Sequence, residues 1–211
     1  MFRLYTTPLS ANGRKVLAAS HHLGLEPEVT LVNVYKGEGR SPQYLAINPL
    51  GKIPALVDGD LVLWESNAIL QYLSEAYGDC RLWSHDPKQR ADVSRWLFWE
   101  ASQWQPALIP VLADVVGRIL LGGTAGAAPA EVDWRDERAR GLINFLDAQL
   151  RERAFVAGDE LSLADFSVAA MMMYVRAAQF PFAAFPNLAA WYARIESLDA
   201  WRATAAGPWT Y

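Results

Sequence analysis

Residues Asn48 to Leu73 read NPLGKIPALVDGDLVLWESNAILQYL, and this stretch limits the fold more than any other part of the chain. It opens on a turn at Pro49-Leu50-Gly51 followed by Lys52-Ile53-Pro54. Two short apolar runs, Ala55 to Val57 and Leu61 to Trp64, are split by Asp58-Gly59-Asp60, which is the pattern of a β-hairpin. After Glu65-Ser66, the apolar positions Ile69, Tyr72, Leu73 and Ala76 follow helical spacing, so Ser66 is placed at or near the helix N-cap. Pro54 directly precedes a strand, where it must start an edge or sit in a turn, and a cis Ile53-Pro54 bond is one solution. The Glu65-Ser66 pair also has chemical content. Free N–H groups and the positive dipole end at Ser66 suit a carboxylate, and Glu65 can accept from an ammonium, which together suits an α-amino-acid head group.

Phe2 to Tyr5 reads as a strand, Thr6 to Ser10 as a loop, and Arg14 to Leu23 as a helix stopped by Gly24, followed by a second strand around Val29 and Leu31. Strand, helix, strand, hairpin and helix give the order βαβ-ββα. From Lys88 onward no strand pattern appears. A long helix to about Leu121, bent near Pro106 and Pro110, is expected, then a flexible connection at Gly122 to Pro129 and a helix from about Asp133 to Arg153. Ser162-Leu163-Ala164-Asp165 has the form of a capping box, and Asn187 reads as the cap of a further helix through Leu198. The expected division is a thioredoxin-like α/β domain at 1–79, a linker at 80–86 and an all-helical domain at 87–211.

With 211 residues, 52% hydrophobic and 20% charged, the chain is globular in composition. A net charge of −4 offers no electrostatic footprint for nucleic acid or for anionic membranes. MFRLYTTPLS lacks the apolar core of a signal peptide and no run is long enough to span a membrane, so a cytoplasmic location is expected. The single cysteine, Cys80, excludes an internal disulfide framework, and with three histidines it argues against a zinc site.

The motif NP-x-GK-I-P-AL-x-DGD-x-x-L-x-ES-x-AI-x-x-YL resembles the glutathione-binding segment of the cytosolic glutathione transferases, and the similarity runs through the second half of the chain, where S-x-x-D matches the family's helical domain. The resemblance implies glutathione as co-substrate and no metal. It assigns the backbone of Ile53, beside Pro54, to the cysteinyl part of glutathione, Glu65 and Ser66 to its γ-glutamyl end, and Lys52 to its backbone or glycyl side. Arg40, in the polar loop Tyr35 to Pro42, matches a basic position that binds the glycyl carboxylate in plant-type members. A homodimer is also implied.

Glutathione's thiol, with a pKa of about 8.5, is only slightly ionised at neutral pH, so its activation needs a donor to sulfur at a positive helix end. Ser10-Ala11-Asn12-Gly13-Arg14-Lys15-Val16-Leu17 resembles the S-x-x-x-R-x-V-L of the serine-type theta, delta and phi classes and makes Ser10 the catalytic hydroxyl. Asn12-Gly13 is similar to the P-N-G-x-K of bacterial nu-type members, where the asparagine meets the thiol and disulfide chemistry is favoured, so Asn12 is a second candidate. Tyr5 matches the tyrosine classes only by type and reads as core. Leu9, Trp104 and Leu108 are candidates for an apolar wall facing the electrophile, although aromatic residues at helical spacing on this long helix mostly read as core. The expected activity is addition of the thiolate to a small apolar electrophile. The alternatives are a glutathione-dependent disulfide or peroxide reductase and a non-catalytic protein that keeps the fold.

Overall fold

The computed structural model describes residues 2–7, 9–120 and 132–205. The connection expected at Gly122 to Pro129 lies outside the described residues. The chain divides into two units: one holds the residues up to Trp83 together with those from Leu198 onward, and the other runs Ser84–Ser197.

In the first unit, β1 (Arg3–Thr6), α1 (Ala11–His22), β2 (Glu28–Leu31), α2 (Pro42–Leu45), β3 (Ala55–Asp58), β4 (Leu61–Trp64) and α3 (Ser66–Ala76) follow one another; the short α2 is an addition to the expected βαβ-ββα order, which the other elements keep. The sheet order is β2-β1-β3-β4. β2 lies parallel to β1, and β3 runs antiparallel to both β1 and β4. Side chains alternate across the pleat. Tyr5 and Ala55 share one face with Val32, Tyr44, Ile47 and Ile53. Leu4 and Leu56 point the other way and are fully buried, as are Val16 of α1 and Ile69, Leu70 and Leu73 of α3. Each such apolar side chain contributes roughly 1.5–3 kcal/mol by leaving water. Gly59 takes a positive φ in the two-residue hairpin turn, a conformation that glycine adopts without steric cost.

The second unit is helical: α4 (Pro87–Trp99), α5 (Gln105–Leu120), α6 (Glu137–Gln149), α7 (Leu163–Met172) and α8 (Pro186–Ser197). The single long helix expected from Lys88 is interrupted before its first proline. Glu100–Trp104 forms a wide π-helical turn in which Gln105 N–H reaches back five residues to Glu100 C=O. Pro106 follows that turn, and Pro110 lies inside α5. Asp165 is buried under α7, where its carboxylate accepts from Ser162 N–H (2.9 Å), Ser162 Oγ (3.1 Å), Val156 N–H (2.8 Å) and Trp191 Nε1 (2.9 Å). The expected capping box is therefore present and is extended by two partners distant in sequence.

Two boundaries differ from the sequence reading. The last helix, α9 (Asp199–Ala203), packs with α1 in the first unit, although it follows the helical domain in sequence. Arg14 donates to Trp201 C=O at 3.0 Å, and its guanidinium lies 4.1 Å over the Trp201 ring. Asn187 does not cap α8. Asp147 of α6 does so from outside, accepting from Leu188 N–H (2.9 Å) and from the Asn187 amide (3.0 Å).

Candidate active site

The strand register gathers the candidate residues. Tyr5 pairs with Ala55, Ala55 with Trp64, and Thr6 with Leu31. The loop after β1, the turn before β3, the junction after β4 and the segment after β2 therefore all leave the sheet at the same end. Those connections carry Ser10, Ile53-Pro54, Glu65-Ser66 and Arg40.

Ser10 is the N-cap of α1, with its Oγ accepting from Gly13 N–H at 3.2 Å. An N-cap oxygen used as acceptor keeps its own proton to donate, and among the described residues that proton has no partner. Gly13 lets this turn seat closely: a Cβ there would fall 1.9 Å from Thr6 Oγ1 and 3.0 Å from Thr7 C=O. Close packing against the buried Thr6 and Thr7 is thus a sufficient reason for the glycine of Asn12-Gly13.

Glu65 stands at φ 73° as the N-cap of α3, and Ser66 is the first helical residue, one position later than the sequence suggested. The unusual backbone turns Glu65 outward, where it is exposed, while Ser66 is buried. Ser66 Oγ donates to Asn12 Oδ1 at 3.4 Å, which joins the starts of α1 and α3 and directs the other half of the Asn12 amide away from Ser66.

The Ile53-Pro54 peptide is cis, and Pro54 is buried. Lys52 C=O accepts from Tyr44 Oη (2.6 Å) and Asn48 Nδ2 (2.7 Å), while Asn48 Oδ1 accepts from Leu50 N–H (3.0 Å). These bonds fix the turn that presents Lys52 and Ile53. Burial pushes the Tyr44 hydroxyl up to about 12; Asn48 opposes the rise and Tyr5 adds to it. Arg40 and Lys52 are both exposed, and their segments meet through two glycines. A Cβ on Gly39 would sit 2.4 Å from Gly51 C=O, and one on Gly51 would sit 2.6 Å from Gly39 C=O and 3.5 Å from Arg40 Cδ. The crossing sets Arg40 beside the residue that precedes Lys52.

The candidate apolar wall requires correction. Trp104 has no exposed surface: its Nε1 donates to Val168 C=O at 3.0 Å and its ring stacks on Trp99. Leu108 is 1% exposed. Both are interior residues of the helical unit, and the hydrogen bond from Trp104 ties the π-helical turn to α7. Leu9, in the first unit, is 8% exposed. Tyr5 packs against Tyr44 with the ring centroids 6.0 Å apart, as a core residue would. The sequence reading does not single out Tyr44 and Asn48, which hold the Lys52 turn; the signal available for Asn48 is its place at the head of the NP-x-GK turn.

A thioredoxin-like unit followed by a helical unit, with two helix starts and a proline turn at one end of the sheet, defines the class. The family models described as "Glutathione S-transferase, N-terminal domain" and "Glutathione S-transferase, C-terminal domain" match residues 1–75 and 112–199. The probable glutathione S-transferase GSTF2 of Oryza sativa is 35% identical over 90% of this chain and 89% of its own, and glutathione S-transferase 3 of Zea mays is 34% identical over 97% and 93%. Among solved structures, glutathione S-transferase-I bound with lactoylglutathione superposes with TM-score 0.83 at 30% identity, covering 97% of this chain and 98% of that one. A delta-class glutathione transferase of Nilaparvata lugens gives TM-score 0.82 at 29% identity, covering 97% and 95%. The chain belongs to the glutathione S-transferase family. Among the described residues no helix is long and apolar enough to cross a membrane, and no group of three or more His, Cys, Asp or Glu side chains is placed to hold a metal ion.

Proposed function

We propose that this protein conjugates glutathione to a small apolar electrophile, with Ser10 donating to the thiolate sulfur. The observation that carries this reading is the Ser10 N-cap: the oxygen is engaged by Gly13 N–H, which leaves the hydroxyl proton for a ligand at the positive end of α1. A fall of one unit in the thiol pKa is worth about 1.4 kcal/mol, within reach of one charge-assisted hydrogen bond added to the dipole. In this assignment Ser66 and the first turn of α3 take the γ-glutamyl carboxylate and Glu65 its ammonium. The Ile53 backbone, shaped by Pro54, pairs with the cysteinyl unit, and Lys52 and Arg40 face the glycyl carboxylate. Asn12, whose Oδ1 accepts from Ser66, braces the two helix starts. The protein acts in the cytoplasm as a homodimer, and elution at the monomer size in gel filtration would exclude the dimer.

The test is calorimetric titration with glutathione in two buffers of different ionisation enthalpy. The wild type is expected to bind with proton release, and Ser10→Ala to bind without it, with kcat/KM toward a chlorinated aromatic electrophile lower by about 100-fold. Undiminished proton release in Ser10→Ala, together with faster turnover of a mixed disulfide, would transfer the thiol contact to Asn12 and the activity to disulfide reduction.

A further inference from the structure

Tyr44 and Asn48 are buried beside the Lys52 turn, and the proposed function gives neither a part. Tyr44 is the third residue of α2, whose cap Ser41 Oγ accepts from Tyr44 N–H at 3.3 Å. Asn48 N–H donates to Tyr44 C=O at 2.8 Å, so the two side chains rise from one backbone segment as a pair. Both donate to one atom: Tyr44 Oη lies 2.6 Å and Asn48 Nδ2 2.7 Å from the oxygen of Lys52 C=O. A carbonyl oxygen has two lone pairs, and here two protein donors engage it. One donor would let the peptide swing about the bond; two fix its plane. The Lys52–Ile53 peptide is trans, and in a trans peptide C=O and N–H point in opposite directions. With Lys52 C=O held on Tyr44 and Asn48, Ile53 N–H points away from those two side chains, and among the described residues none accepts from it. The two donors also polarise the amide, which makes its N–H a better donor. The Tyr44 ring packs with Tyr5, Val32 and Ala55 as a phenylalanine would, so the bond to Lys52 C=O is what the hydroxyl adds.

We infer that Tyr44 is a positioning residue for glutathione: together with Asn48 it locks the Lys52–Ile53 peptide so that Ile53 N–H faces the cysteinyl carbonyl, the hydrogen-bond acceptor in the backbone of that unit. The inference rests on the assignment of the cysteinyl unit to the Ile53 backbone. Its effect belongs to binding rather than to the chemical step, because that carbonyl does not react and its bond is the same in the ground state and the transition state.

The test compares glutathione with an analogue in which a trans alkene replaces the cysteinyl–glycyl peptide and so removes that carbonyl, by calorimetry and by steady-state conjugation. Tyr44→Phe keeps the ring and loses only the hydroxyl. It is expected to raise the KM for glutathione about fivefold with kcat within about twofold, and to reduce the preference for glutathione over the alkene by a similar factor. Asn48→Asp keeps an acceptor for Leu50 N–H but turns a carboxylate oxygen toward Lys52 C=O, and it is expected to move KM and the preference in the same direction. Tyr5→Phe alters the same apolar cluster without touching Lys52 C=O and is expected to leave the preference unchanged. An unchanged preference in Tyr44→Phe overturns the inference, since a purely structural tyrosine would weaken the two ligands equally. A loss confined to kcat overturns it too, as does a loss of preference in Tyr5→Phe equal to that in Tyr44→Phe. If the wild type binds glutathione and the alkene equally well, the assignment of the cysteinyl unit to Ile53 fails first and this inference falls with it.

Discussion

Gly13 and Asp165 show how much one residue settles where space or polarity is closed. The start of α1 can approach β1 only because position 13 has no Cβ. Gly13→Ala is expected to cost about 1–3 kcal/mol in urea unfolding, because Thr6 is buried and has little room to yield. The same variant is expected to lose conjugating activity beyond its loss of stability, since any shift of α1 carries Ser10 with it. Asp165 accepts four hydrogen bonds from three segments of the helical unit. Asp165→Ala orphans those donors in the interior and is expected to destabilise the protein by about 3 kcal/mol or more, measured by thermal or denaturant unfolding. Ser162→Ala removes only one of the four bonds and is expected to cost about 1 kcal/mol.

Helix ends and hairpins here are secured by side chains from other elements. The β3–β4 hairpin is tied to α3 through Asp58, whose Oδ2 accepts from Tyr72 Oη at 2.7 Å and from Tyr77 Oη. Those bonds, Tyr77 first and Tyr72 second, hold the Asp58 carboxyl below its ordinary range, and the bond to Asp58 raises both phenols. A depressed carboxyl contributes stability above its unfolded pKa of about 3.9 and loses it as pH falls through the lower folded value. A raised phenol contributes below about pH 10 and loses that stability as pH rises through the folded value. The stability difference between wild type and Asp58→Asn is therefore expected to be largest between these limits and to shrink on both sides, which unfolding midpoints measured across pH will show. Asp147 plays a comparable part for α8, and Asp147→Ala is expected to cost about 1–2 kcal/mol through loss of that cap.

Across the whole molecule, chain order and packing order differ at the C-terminal end. α9 follows the helical unit in sequence but belongs with α1, where Trp201 is buried and Arg14 both donates to its carbonyl and lies over its ring. Trp201→Ala is expected to cost about 3–5 kcal/mol, and hydrogen exchange should show the loss in the amides of α1 ahead of those of α7. Because α1 carries Ser10 at its head, the variant should also weaken glutathione binding.

The sequence by itself determined the order of the elements, the hairpin, the proline turn, the capping box and the family, because each rests on local periodicity, on turn chemistry or on a motif contained in one stretch. It also pointed to Ser10, Ile53, Pro54, Glu65 and Ser66, which lie in connections that the strand register brings to one end of the sheet. Other features depended on the tertiary structure: the return of α9 to the first unit, the cap of α8 supplied by Asp147, the burial of Trp104 and Leu108, and the Lys15–Asn67 bond across 52 positions. The physical reason is that a helical pattern reveals which face is apolar and not what that face meets. A charged residue such as Lys15 reads as solvent-facing until the packing of two helix starts shows it enclosed. Aromatic residues at the same spacing can be buried, like Trp104, or exposed, like Phe98 at 73%, and only the neighbouring helices decide between them.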